Sequence, residues 1–301
     1  MTEMTENNSE IELVNDRYGK SRIRLMKVVR HPEHHDLYEW TVQVLLTGDF
    51  KAAHLDGDNS KVLPTDTMKN TVYVRARESQ AATMEQFAME LADFFLARNP
   101  QVQSAEITIE SSMWKRLSVD GQPHPSTFIH GSNEIQTTVV ERARTAALSE
   151  DEYQPFRVTS GLDHLLILKT SHSAFEGFLK GPLTTLKEAS DRLLGTVVKA
   201  SWRYIAPGVT TDFAQLRTIV REIMLQTFAH HQSKSVQHTI YAMGEAALAA
   251  VPAIDTIDLV MPNKHCLLVD LSRFGLDNPN QIFIPTDEPH GTIEARLRRK
   301  V

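Results

Sequence analysis

The chain has 301 residues, 41% of them hydrophobic and 23% charged, with 32 Lys and Arg against 38 Asp and Glu for a net charge of -6. That balance excludes the basic face of a nucleic-acid binder, and no apolar run approaches the roughly 20 residues of a membrane helix. A single cysteine, Cys266, excludes an internal disulfide and any cysteine-built zinc or iron–sulfur site.

Residues 1–12 are polar and acidic, with no basic segment leading into an apolar one, and read as a disordered tail on a cytoplasmic protein. Residues 22–29 and 37–46 read as paired strands around a polar turn, 31–36. In the second of them Tyr38, Trp40, Val42, Val44 and Leu46 alternate with polar residues, the pattern of a half-buried strand. Pro64 then holds the backbone extended, and Met68 and Val72 recur at helical spacing, so Thr65 or Asp66 is the expected N-cap of a helix. A second helix is predicted over 84–98, with an apolar face of Phe87, Ala88, Leu91, Phe94 and Phe95. Thr83 and Gln86 have capping-box spacing, and Asn99-Pro100 provides the stop. Strands follow at 102–110 and, beyond the turn-rich 120–126, at 134–140.

The second half repeats this grammar. Strands are predicted at 165–169 and 200–204, helices around Phe213–Met224 and Val236–Ala247, and strands at 257–261, 266–271, 281–284 and 292–297. Two runs of strands, two helices and strands predict an α+β fold of antiparallel sheets with helices on one face, duplicated in tandem. The acidic stretch 149–155 is the expected junction, giving units of 13–148 and 149–301. Strand edges in such sheets need covering, which predicts oligomerisation.

His31, His34 and His35 cluster beside Glu33 and read as a solvated turn in preference to a ligand set. His230-His231 closes a helix, where an imidazolium suits the negative end of the dipole. Gly19-Lys20 lacks the glycine frame of a phosphate loop, and there is no dinucleotide fingerprint or nucleophile elbow. Thr65 and Asp66 leave two readings open, a simple cap or a hydroxyl and carboxylate at a helix N-terminus suited to an anion or a dioxygen species.

A set of short segments identifies more than any one of them. Arg17-Tyr18-Gly19-Lys20, Thr65 to Tyr73, Asp120 to Pro125, Thr184 to Glu188 with Asp191-Arg192, Ser235-Val236-Gln237 and Pro262-Asn263-Lys264-His265 occur in this order. The set resembles the urate oxidase (uricase) family, over about residues 17–291. The resemblance implies the tunnelling fold (T-fold) in two tandem copies, and a homotetramer whose sheets close into a barrel with active sites at subunit interfaces. It implies oxidation of urate by O2 and water to 5-hydroxyisourate and hydrogen peroxide, in purine degradation, with neither metal nor organic cofactor. Phe175 would stack on the purine, Arg192 and Gln237 would pair with its edge, and Val236 and Leu186 would make backbone and packing contacts. Lys20, Thr65 and His265 would form a proton relay, Asn263 with Thr65 would hold dioxygen and then water, and Asp66 would contact the ligand through its backbone N–H.

The chain departs from the family in two places. It ends Arg298-Arg299-Lys300-Val301 without a peroxisomal tripeptide, which predicts a bacterial cytoplasmic protein. Ser190 stands where many relatives have an aromatic residue, and Gly181-Pro182 alters the loop before Thr184. Two other functions fit the same resemblance: a tunnelling-fold hydrolase of a related purine or pterin, often zinc-dependent, and a non-catalytic purine-binding protein.

Overall fold

The structure, a computed structural model, describes residues 11–145 and 152–300. The predicted tail up to residue 10 and the first part of the predicted junction, 149–151, lie outside the described residues. Eleven strands and five α-helices are found among those described. In chain order they are β1 (Tyr18–Arg30), β2 (His35–Gly48), α1 (Lys51–Leu55), α2 (Thr65–Glu78), α3 (Met84–Arg98), β3 (Val102–Val119), β4 (Gln122–Ala143), β5 (Arg157–Lys169), β6 (Leu194–Tyr204), α4 (Phe213–His230), α5 (Val236–Ala250), β7 (Ile254–Val260), β8 (Asn263–Lys264), β9 (Cys266–Leu268), β10 (Phe283–Pro285) and β11 (Glu294–Arg298).

Nine of the strands form one antiparallel sheet in the order β1-β2-β3-β4-β5-β6-β7-β11, with β8 pairing the start of β6. The two predicted halves therefore share a continuous sheet, joined where β4 pairs β5. Alternation decides which face is covered. Val42, Val44 and Leu46 of β2 and Ala105, Ile107 and Ile109 of β3 are buried, with Met68, Val72, Phe87, Leu91 and Phe95 of α2 and α3 in the same core. Residues of opposite parity stay open. Met26 and Val28 of β1 and Leu166 and Leu168 of β5 are exposed apolar side chains on the other face.

Several boundaries differ from those the sequence predicts. The segment expected to be turn-rich, 120–126, is a two-residue reversal at Asp120-Gly121 (φ 52° and 77°), which sets the 22-residue β4 directly against β3. Positive φ at both positions is the geometry that Asp-Gly favours in a tight hairpin, so the reversal was legible while the long strand behind it was not. Its polar composition hid it. β5 and β6 likewise begin earlier than periodicity shows, whereas β9 and β10 are shorter than predicted.

Two capping expectations are corrected. Helix α2 begins at Thr65 itself, with Pro64 in the cap position and no side-chain cap, because Asp66 turns to Lys69 and Asn70 instead. At the end of α4 the side chain that meets the free carbonyls is Lys169 and not His231. Its Nζ donates to the carbonyls of Phe228 (3.3 Å) and His231 (2.5 Å), while burial, then His238 and Lys169, push the His231 pKa down. An imidazolium there would face a fixed positive charge, so the neutral ring is favoured. Thr83 does cap α3 as predicted, accepting from Gln86 N–H.

The helix layers of the two halves are tied by buried charge. Glu85 of α3 is fully buried and accepts from Arg217 of α4 and from the Ser160 hydroxyl on β5. Arg221 of α4 adds a bidentate pair to Glu134 of β4, at 2.6 and 2.7 Å. Removing one partner of such a pair strands the other charge away from water. Glu85→Ala is therefore expected to lower unfolding stability by about 3–5 kcal/mol, with Arg217→Met on that background recovering part of it. Chemical denaturation of the three proteins measures this, and a loss below about 1 kcal/mol for Glu85→Ala would refute it.

Candidate active site

The candidate residues fall into two groups, each assembled by local structure. In the first half, Tyr18 at the start of β1 is hydrogen-bonded in both directions to Leu63. Its hydroxyl donates to the Leu63 carbonyl (3.2 Å) and accepts from Leu63 N–H (2.8 Å). This clamp holds the segment before Pro64 against β1, so Lys20, two residues along the strand from Tyr18, comes beside the N-terminus of α2. Gly19 is required for the close pairing of β1 with β2, because a Cβ there would lie 1.8 Å from the Val44 carbonyl oxygen of β2.

The helix start presents Thr65, half-buried, and Asp66, exposed. The first N–H groups of an α-helix have no acceptor within the helix, and the macrodipole makes this end positive. Hydrogen bonding to Lys69 leads the influences that hold the Asp66 carboxyl below the usual range, with a smaller contribution from Lys20. Lys20, Thr65 and Asp66 are thus close neighbours around a helix N-terminus.

The second group surrounds Phe175. The irregular segment between β5 and β6 doubles back so that Phe175 and Ala189 exchange backbone hydrogen bonds, 2.8 and 3.1 Å. The Phe175 ring stacks on Phe178, centroids 5.0 Å apart and planes 13° from parallel. The Arg192 guanidinium carbon stands 5.3 Å from the Phe175 centroid. Arg192 Nε is buried with no hydrogen-bond partner among the described residues, and burial pushes the guanidinium pKa down. A desolvated cation with open donors beside an aromatic ring is a receptor for a flat anion.

The same segment reaches α5. Ser173 bridges Ser233, and Ala174 N–H donates to the Ser233 carbonyl at 2.8 Å. Ser235 caps α5 by accepting from His238 N–H, which places Val236 and Gln237 in the first turn. Asn263 pairs Thr196 where β8 meets β6, and its N–H donates to Gly291. The His265 carbonyl accepts from both the N–H and the hydroxyl of Thr286, which fixes the chain next to Asn263. The Phe175 segment thus meets the start of α5, with Val236 and Gln237, and Arg192 lies just before Gly195, where β6 pairs β8 with its Asn263; His265 directly follows β8. Leu186, expected to pack against the ligand, is 58% exposed.

The chain does not bring the two groups together. Lys20 lies on β1, one edge of the sheet, and β8 lies six strand positions away. At 4.7–4.9 Å per strand that is about 29 Å along the sheet.

Comparison with known proteins gives the kind of chain this is. The family model described as Uricase matches residues 16–141 and 158–294. The chain is 38% identical to the uricase of Arthrobacter globiformis over 299 residues, covering 99% of this chain and 94% of that one. It is 36% identical to the uricase of Dictyostelium discoideum, covering 95% and 97%. The chain belongs to the uricase family. The crystal structure of the Arthrobacter globiformis uricase superposes with a TM-score of 0.87 over 97% of this chain and 96% of that one. The matched segments of the uricase model contain Lys20, Thr65 and Asp66 in the first part, and Phe175, Arg192, Val236, Gln237, Asn263 and His265 in the second.

Around these residues the chain carries supports that sequence reading did not assign. Asp191 Oδ1 accepts from Ser173 N–H (3.0 Å) and Arg192 N–H (3.1 Å), fixing the backbone on both sides of the Phe175 loop. Glu188 accepts from Gly177 N–H and Lys180. Tyr18 belongs with them. Each has a common residue type with no spacing signal, and only the folded backbone discloses its partner.

Proposed function

We propose that this uricase-family chain is a urate oxidase that converts urate, O2 and water to 5-hydroxyisourate and hydrogen peroxide without a cofactor. The observation that carries the reading is the half-buried Arg192 guanidinium beside the Phe175 ring, its buried Nε unpartnered among the described residues, within a chain 38% identical to a uricase along nearly its whole length. Urate is a flat anion at neutral pH. Phe175 offers it a face, while Arg192 and Gln237 offer donors to its edge, with Val236 contributing backbone.

Removing a further proton from urate makes it reducing enough to deliver an electron to dioxygen, so the protein's work is proton transfer and placement. Lys20 and Thr65 take and pass that proton, and His265 carries the next. Asn263 and Thr65 hold dioxygen above the ring and then the water that adds to the oxidised substrate. Asp66 contacts the ligand through its backbone N–H at the positive helix end. Hydrogen peroxide leaves with the two electrons taken from urate, and the water oxygen stays on carbon 5.

With the two residue groups at opposite ends of one sheet, a complete site takes Lys20, Thr65 and Asp66 from one copy and the Phe175 group from another. A homotetramer of tandem T-fold units, 13–148 and 149–301, supplies such pairs while covering the exposed apolar face of β1 and β5. No helix among the described residues is long and apolar enough to cross a membrane, and we place the enzyme in the cytoplasm.

The test is exhaustively chelated protein given urate in air, with the loss of urate absorbance and the release of peroxide followed together. Matched urate loss and peroxide release is the expected result. Turnover that is absent after chelation and restored by zinc or copper would overturn the cofactor-free reading. Urate binding without turnover in any condition would leave a binding protein.

A further inference from the structure

Far from the candidate active site, the turn between β1 and β2 does more than reverse the chain. The sequence reads this turn as solvated. In the fold, His31, His34 and Asp36 each offer a donor atom that lies within 4.8 Å of the other two. His31 N–H donates to the His34 carbonyl at 2.8 Å, so the backbone fixes the histidine spacing. Their rings stack, with centroids 4.6 Å apart and planes 28° from parallel. His31 Nε2 is 2.9 Å from Asp36 Oδ2.

We propose that this turn is a binding site for a borderline first-row divalent cation of the zinc and copper class, with His31, His34 and Asp36 as its ligands. Two imidazole nitrogens and one carboxylate oxygen form a donor set that favours such ions over magnesium or calcium, which prefer all-oxygen sites. Bonds of about 2.0–2.2 Å put tetrahedral ligand atoms roughly 3.3 Å apart. The donors start within 4.8 Å, and the His31 and His34 side chains are 42% and 49% exposed, so side-chain rotation closes the gap. The fourth position is left to water.

Arg116 supports the third ligand. Its Nη2 donates to the His35 carbonyl at 2.6 Å and to Asp36 Oδ1 at 3.2 Å, which orients the carboxylate and leaves Oδ2 for the metal. Outer hydrogen bonds of this kind fix ligating groups in metal sites. The guanidinium charge also weakens the site, which places it among binders that fill only when the metal is supplied. His231 and His238, with ring nitrogens 3.2 Å apart, are a poorer site, because no carboxylate among the described residues joins them and Lys169 stands beside them. The turn lies eleven residues along β1 from Lys20, about 36 Å at strand rise, so occupancy acts on the turn and not on the reaction.

Zinc is the probe. Full-length chelated protein is titrated with zinc by calorimetry, and cobalt(II) is added separately to read the visible spectrum of a nitrogen-ligated ion. One zinc per chain is expected, together with a cobalt spectrum that zinc abolishes. His31→Ala and His34→Ala are each expected to weaken zinc by about tenfold or more, as loss of one of three ligands requires. His238→Ala should bind like the parent, and magnesium should not compete. An absence of saturable zinc binding would overturn the proposal. So would zinc binding and a cobalt spectrum unchanged in the His31→Ala/His34→Ala double variant, whose fold circular dichroism checks.

Discussion

Replacing Arg192 by alanine is expected to raise the dissociation constant for urate by about 10²–10⁴-fold. Arg192 is half-buried, its Nε is shut off from solvent with no partner among the described residues, and its charge stands beside the Phe175 ring. Two parallel charge-assisted hydrogen bonds to a planar anion contribute about 3–6 kcal/mol together, and each 1.4 kcal/mol is tenfold in affinity. Phe175→Leu makes the useful comparison, because it keeps most of the apolar area. The stacking it removes contributes about 0.5–1.5 kcal/mol, so the loss should be smaller by about one order of magnitude or more. Arg192→Lys keeps the charge without the planar fork and should fall between the two. Equilibrium binding of urate in the absence of oxygen measures all three. An Arg192→Ala constant within about threefold of the parent would remove this residue from the site.

The second large effect is expected in turnover with binding nearly intact. Lys20→Met and Thr65→Ala should each lower kcat by about 10²–10⁴-fold, the usual contribution of a positioned proton-transfer group. The Tyr18–Leu63 clamp holds Lys20 and Thr65 together, so the double variant should cost much less than the product of the singles. Mixing adds a geometric test. If one site draws Lys20 from one copy and Arg192 from another, reassembly of inactive Lys20→Met chains with inactive Arg192→Ala chains restores activity. Complementing chains would form sites carrying neither substitution. Unchanged turnover in the single variants would sink the relay, and no recovery in reassembled mixtures would place the whole site within one chain.

Much of this molecule is legible along the chain. Alternation in 37–46 and 102–110 locates two central strands, and the apolar face of 84–98 locates α3, because burial on one face writes the period of the element into the sequence. Ser235-Val236-Gln237 as a helix start and Thr83 as a cap follow from the few side chains able to accept from free N–H groups. Pro64-Thr65-Asp66 shows the limit of that logic. The cap chemistry was present, yet Asp66 found Lys69 and Asn70, and the helix began one step earlier than a capped start.

The residues of the candidate site were named by the order of short segments, which fixes family and chemistry but carries no distances. Tertiary structure alone decided that Lys20 meets the start of α2, that Asp191 ties Ser173 to Arg192, and that Arg192 is desolvated beside Phe175. It alone separated the two groups across the sheet and drew His31, His34 and Asp36 to within 4.8 Å of one another. The physical reason is common to all of these. Periodicity and capping are local, set by neighbours a few residues away, whereas desolvation and the meeting of charges depend on strand register and loop closure between residues far apart in sequence.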